Sequence, residues 1–196
     1  VLVDEGADHG AIMEEEKEES TLMNHIIRWG LIVSGVSITI TVLLYAIDYT
    51  LMVQLKTLFG TLLVYLGLTI YAGIDYRKSV GGYLKYSQAF MHGLGVLALS
   101  GLVATIFAFV LYNFIDSELP QKLTDASIEN TRAMMEKFGA PEESIEPALE
   151  KAKEQSEKQF TVGGQALGYV YIVVFSAIMA LISAIFVKKN EPEEVL

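Results

Sequence analysis

Four stretches of this chain are long, apolar and free of ionised side chains over their middles. They run from about Ile27 to Ile47 (IRWGLIVSGVSITITVLLYAI), Thr57 to Asp75 (TLFGTLLVYLGLTIYAGID), Ala89 to Phe114 (AFMHGLGVLALSGLVATIFAFVLYNF) and Ala166 to Val187 (ALGYVYIVVFSAIMALISAIFV). Roughly 20 apolar residues in a helix cross about 30 Å of hydrocarbon. In lipid every backbone N–H and C=O must be paired, which a helix achieves within its own segment. The runs therefore predict an all-α polytopic membrane protein with four transmembrane helices. Composition agrees, since 52% of the residues are hydrophobic and only 19% charged, with a mean hydropathy of +0.40.

The first span follows Arg28, as a signal peptide's core would follow its basic region. Its apolar stretch is longer than the roughly 7 to 15 residues of such a core, and no A-x-A-like cleavage site follows, so it is expected to stay in the mature protein. Cysteine is absent, which excludes a lipobox, a disulfide framework and thiolate metal sites. The acidic opening, VLVDEGADHGAIMEEEKEES, lacks periodicity and predicts a mobile tail over residues 1–25. The chain opens without Met, and Met13 begins a run resembling a translation start. Residues 1–12 are therefore expected to be an upstream extension or the product of processing. The remaining organisation is three spans over 26–115, an extramembrane helical hairpin over 116–162, a fourth span over 163–189 and a short tail over 190–196.

Orientation is read from Lys and Arg in short connectors. Lys17, Arg28, Arg77, Lys78, Lys85, Lys188 and Lys189 fall on one side and are concentrated at span ends. Lys56 and six cations of the long loop fall on the other, diluted by eleven acids between Asp116 and Phe160. The totals tie, and density places the termini in the cytoplasm and the loop in the periplasm of an inner membrane. Between spans two and three, YRKSVGGYLKYSQAF combines Tyr76, Tyr83 and Tyr86, suited to the headgroup layer, with Gly81 and Gly82 for the reversal. A plain interfacial connector accounts for it. The alternative is a lipid-headgroup or phosphate site using Arg77, Lys78 and Lys85.

YRK, GGY and Y..AF in this order, then FIDSELP at the end of span three and an acidic helical loop, resemble the bacterial membrane family catalogued as domain of unknown function 4199. The resemblance runs from about Ser20 to Lys189. It implies a small polytopic inner-membrane protein with no established activity and no catalytic residues to carry over. It also implies a link to polyprenyl-phosphate glycosyl transfer through neighbouring genes.

In the long loop, DASIENTRAMMEKFGA predicts a helix capped at Thr124 or Asp125 and stopped at Gly139. Ile128, Met134, Met135 and Phe138 form its apolar side. This side either rests on the span ends or docks another envelope protein. A second helix follows, with Ser144 as cap, Pro147 in its first turn and a Glu154–Lys158 pair. Glu142, Glu143 and Glu146 are better explained by the helix dipole than by a metal.

Ionisable groups inside a membrane are the default pointers to function. Only His92 enters a span, and it lies at a depth similar to Asp75. They form either a buried polar pair or, for the histidine, an interfacial hydrogen bond. Span four carries small residues at Gly164, Gly168, Ser176, Ala180 and Ala184, a row that fits close packing within the bundle, a partner's span or a second copy. Ser34, Ser37, Thr39 and Thr41 in span one are the best candidate lining for a polar cavity, although such hydroxyls also bond back to their own helix.

No G-x-S-x-G elbow, H-E-x-x-H pair or Walker loop occurs, and a net charge of −10 speaks against nucleic acid as a partner. No enzyme activity and no cofactor is expected. The residues point to a non-enzymatic scaffold or accessory subunit of a membrane complex, with membrane lipids and a membrane protein or second copy as partners. A small transporter or lipid-handling protein working as an oligomer is the alternative.

Overall fold

The computed structural model describes residues 5–192, with side chains described from Thr21 onward. Its helices are α1 (Glu5–Asp48), α2 (Leu55–Ser79), α3 (Tyr86–Val110), α4 (Leu119–Lys137), α5 (Glu142–Gln159) and α6 (Val162–Val187). Four segments are long and apolar enough to cross a membrane, namely Thr21–Val53, Leu55–Ser79, Tyr86–Ile115 and Val162–Val187. The protein is an all-α multi-pass membrane protein, and α4 and α5 form a hairpin between the third and fourth spans.

The segment expected to be a mobile tail is helical from Glu5 and runs into the first span without a break. Glu, Ala, Met and Lys are strong helix formers. Once the span has nucleated the helix, each added residue gains a hydrogen bond without a new nucleation cost. Val1–Asp4 lie outside the described residues, as do the side chains before Thr21, so the extension expected over residues 1–12 falls largely there. From Thr21 onward the segment belongs to the bundle, with His25 buried and Leu22 packed against the core.

α3 is the central helix, packed between α1 and α6, while α2 closes against α6 and α3. Its inward face is Ala89, His92, Gly93, Val96, Leu97 and Ser100, a helical spacing. Lipid tails are as apolar as leucine, so burial does little to hold these helices together and close approach does more. Gly93 supplies that approach, since a β-carbon there would lie 3.1 Å from Ser183 Oγ and 3.3 Å from Thr69 Cγ2.

At the end carrying both termini, Gly81 and Gly82 adopt φ of 94° and 89°, a region that favours glycine, and turn the chain between α2 and α3. Leu84 and Lys189 then exchange two backbone hydrogen bonds of 2.9 Å. Arg77 Nη1 donates to the Val187 carbonyl at 2.7 Å. Tyr76, expected among headgroups, is instead buried against the α3 and α6 core. It lies one turn before the end of α2, on the face turned to α3.

At the opposite end, α3 passes through a π-helical turn, Leu111–Ile115, and stops at Asp116. Asp116 accepts hydrogen bonds from Tyr45 Oη (3.1 Å) and from the amides of Glu118 (3.1 Å) and Leu119 (3.0 Å), with Lys122 Nζ at 3.6 Å. α4 thus starts earlier than a cap at Thr124 or Asp125 would give, with Glu118 at the cap position, Pro120 in its first turn and Asp116 accepting from the amides that open it. Thr124 is buried and bonds Ser156 across the hairpin at 3.0 Å. α5 likewise starts before Ser144, so Pro147 falls inside the helix. Gly139, with φ of 71°, ends the hairpin's first arm as expected, and Lys158 Nζ lies 2.6 Å from Glu154 Oε1.

Partial burial opposes the charge on Asp116, but the hydrogen bonds from Tyr45 and the two amides, with Lys122 alongside, hold its carboxyl below the usual value of 3.8. A depressed folded-state value means stabilisation that is fully present above 3.8 and is lost as pH falls through the lower folded value. Amide protection in the first turn of α4, taken relative to the intrinsic exchange rate at each pH, should therefore fall below that point. Asp116→Asn should show faster exchange already at neutral pH, and should lack this step on acidification. An unchanged α4 profile in the variant would remove Asp116 as the anchor.

Candidate functional site

α1, α2 and α3 bring together the ionisable groups of the bundle near its termini end. His25 and Trp29, one turn apart on α1, face Asp75 and Tyr76 of α2 and His92 of α3. His25 Nε2 lies 3.2 Å from Asp75 Oδ2, Trp29 Nε1 donates to the same oxygen at 3.0 Å, and His25 Nδ1 lies 2.9 Å from His92 Nε2. Tyr76 stacks on the His92 ring, with centroids 4.8 Å apart and planes 2° from parallel. His92 is fully buried, whereas the Asp75 side chain is 41% exposed.

The order of protons follows from the acceptor at one end. An ionised carboxylate only accepts, so neutral His25 carries its proton on Nε2 and presents Nδ1 as an acceptor. His92 must then donate from Nε2, which leaves its Nδ1 a buried lone pair, and no hydrogen-bond partner for that atom exists among the described residues. The arrangement is a directional chain from His92 through His25 to Asp75, joining a buried base to a partly exposed acid.

The pair expected between Asp75 and His92 is thus not a direct contact, because His25 stands between them. His25 was missed because the predicted span began at Ile27. Extending the helix backwards at a spacing of four places His25, Trp29, Val33 and Ser37 on one buried face, which is the signal that finds it.

A second feature lies deeper. A cavity of about 480 Å³ is framed by all four spans, with hydroxyls of Ser37, Tyr65, Ser100 and Ser176 among apolar side chains. Tyr65 Oη donates to Ser37 Oγ at 2.8 Å. Of its lining, Leu58 on α2 and Tyr171 and Phe175 on α6 are exposed, Tyr171 by 65%, so the mouth opens sideways between α2 and α6. Two smaller cavities adjoin it through Ile172 and continue to the base of the hairpin. Of the span-one hydroxyls proposed as lining, Ser37 and Thr41 reach these cavities. Ser34 and Thr39 only bond back to carbonyls of their own helix.

The small-residue row of α6 divides. Ser176, Ala180 and Ala184 are buried in the bundle. Around Gly168 nothing lies within 4 Å of a would-be β-carbon, and it lines a cavity instead of a helix contact. Gly164 is required locally, because a β-carbon there would overlap the Lys158 carbonyl. In the hairpin, Leu119 and Leu123 meet the bundle, and Phe160 sets its edge against Tyr112. The expected apolar side does not rest on the spans. Ile128 and Met135 are half-buried, while Met134 and Phe138 are exposed near the turn, Phe138 by 80%. Glu146 pairs with Arg132 at 2.9 Å, and no group able to hold a metal occurs among the described residues. Of the proposed headgroup cations, Arg77 is occupied by the Val187 carbonyl and Lys85 lines a cavity.

The model of a family described as protein of unknown function (DUF4199) matches residues 28–189. The chain belongs to this family. The matched region of the DUF4199 chain takes in Asp75, His92 and all of the mid-bundle cavity, and begins just after His25. No curated protein and no solved structure matches the chain.

Proposed function

We propose that this protein is a non-enzymatic, lipid-handling membrane protein that holds an apolar chain, of an acyl or isoprenoid lipid, in its mid-bundle cavity. The observation that carries this is the sideways mouth between α2 and α6, which leads from the lipid to a pocket of about 480 Å³ lined by the hydroxyls of Ser37, Tyr65, Ser100 and Ser176, with Tyr171 at the mouth. A large apolar pocket with a few converging polar groups is the default binding site of a protein. A mouth between helices gives a lipid chain entry without leaving the bilayer. The cations at the termini end support an orientation with the termini in the cytoplasm of an inner membrane.

Ala104 lines this cavity and the one beside it, so Ala104→Phe fills the passage with a ring. Native mass spectrometry of protein released from its own membranes is expected to show a co-purifying lipid on the wild type and loss of most of it on Ala104→Phe. Equal lipid on both, with the variant folded, would sink the proposal.

The exposed Met134 and Phe138 favour a second role, as an accessory subunit that docks a partner at the hairpin, including one working in polyprenyl-phosphate glycosyl transfer. A stoichiometric partner that co-purifies with the wild type and is lost on Phe138→Ser supports it. Retention of that partner on Phe138→Ser counts against the hairpin as its dock.

A further inference from the structure

The two ends of the protein match their cations differently. In the hairpin four of the six cations, Lys122, Arg132, Lys153 and Lys158, lie within 4.0 Å of a carboxylate, and Lys137 and Lys151 do not among the described residues. At the termini end Lys78, Lys85, Lys188 and Lys189 have no such partner among the described residues. A cavity of about 450 Å³ opens between two of these lysines, walled by Tyr83, Lys85 and Gln88 on one side and Lys189, Asn190 and Glu191 on the other.

This cavity is held in shape by bonds that do not consume its cations. The reciprocal Leu84–Lys189 backbone bonds tie the two walls together. Gln88 Oε1 accepts from the Lys85 amide at 3.1 Å, fixing the entry to α3 and leaving the Gln88 amide nitrogen as a donor. Lys189 Nζ stands 5.2 Å from the Tyr83 ring centroid, a cation–π contact that keeps the ammonium group in place without neutralising it. The cavity lies at the ends of α2 and α6 and the start of α3, where three of the four apolar spans end.

We propose that this cavity binds the phosphate of a membrane lipid headgroup, and that its charge selects a diester headgroup with a single net negative charge. Lys85 and Lys189 supply two positive charges and Glu191 one negative, which leaves a net +1. A diester of an anionic lipid carries a single negative charge, whereas a phosphomonoester carries about −1.5 to −2 near neutral pH. Glu191 works against the second charge. The site is independent of the mid-bundle cavity, because the layer around Gly73, Val187 and Gly93 is packed between them.

The test is native mass spectrometry of the full chain in mild detergent, titrated with phosphatidylglycerol, phosphatidylcholine and phosphatidic acid. Phosphatidylglycerol is expected to bind roughly fivefold more tightly than phosphatidylcholine, as the net charge of +1 on the lining would provide. Lys85→Ala with Lys189→Ala should abolish that preference without moving the thermal midpoint. Arginine at both positions should restore it, which separates charge from any loss of fold. Glu191→Gln should move the preference towards phosphatidic acid. Inorganic phosphate in excess should leave phosphatidylglycerol bound. Displacement by inorganic phosphate would assign the cavity to a soluble phosphate and overturn the lipid proposal, as would equal binding of the two diester lipids or a preference that survives in the folded double alanine variant.

Discussion

His25→Ala should lower the stability of the bundle by roughly 2 kcal/mol, measured by denaturant titration in mild detergent. A single interhelical hydrogen bond in a membrane protein is worth only about 0.6 kcal/mol on average, because helices separated in a bilayer find other partners. This substitution removes two such bonds at once. It also leaves the fully buried His92 with neither ring nitrogen paired, and stranding a buried polar group costs about 1–3 kcal/mol. A cycle adds the decisive reading. Asp75→Asn and His92→Ala should be non-additive in the wild type, since His25 connects them, and additive once His25 is alanine. Additivity in both backgrounds would mean that the chain of bonds does not act as a unit.

The second large effect concerns a position where local and tertiary preferences oppose each other. In an isolated helix Gly→Ala gains about 1 kcal/mol. At Gly73 the new methyl would come within 2.6 Å of Val187 Cγ2 and 2.9 Å of its Cγ1. Such overpacking costs about 1–3 kcal/mol, so Gly73→Ala should destabilise the protein. Val187→Ala should rescue it by vacating the space, while Arg77 keeps its bond to the main-chain carbonyl at 187. The readout is the thermal midpoint of the two single variants and the double. A stabilising Gly73→Ala would show that α2 and α6 are free to part at this point.

Several features of the site were legible in the sequence, each for a stated reason. His92 stood out because a titratable side chain inside a span is rare. Asp75 and His92 are joined through His25 and do not touch directly. The intermediary was hidden because hydropathy marks where the oil begins, and His25 lies just before that point on a helix that ignores the boundary. Tyr76 was misplaced for a related reason. Tyrosines prefer the interface on average, and only the packing of α3 decides that this one turns inward. The small-residue row of α6 showed where close approach was affordable at Ser176, Ala180 and Ala184. At Gly168 the same pattern borders empty space, because spacing describes one helix surface and says nothing about what faces it.

By itself the sequence determined that the chain crosses a membrane four times as helices and that a helical hairpin separates the third and fourth crossings. Each of these follows from local chemistry, since backbone pairing in lipid is satisfied inside a single segment and charge cannot rest in hydrocarbon. The tertiary structure alone decided that three helices line up His92, His25 and Asp75. It also decided that α2 parts from α6 to open a cavity, and that Lys85 meets Lys189 across a pocket. These depend on which faces approach one another, and in a bilayer apolarity does not select those faces. Side-chain shape, glycine clearances and a few buried hydrogen bonds do.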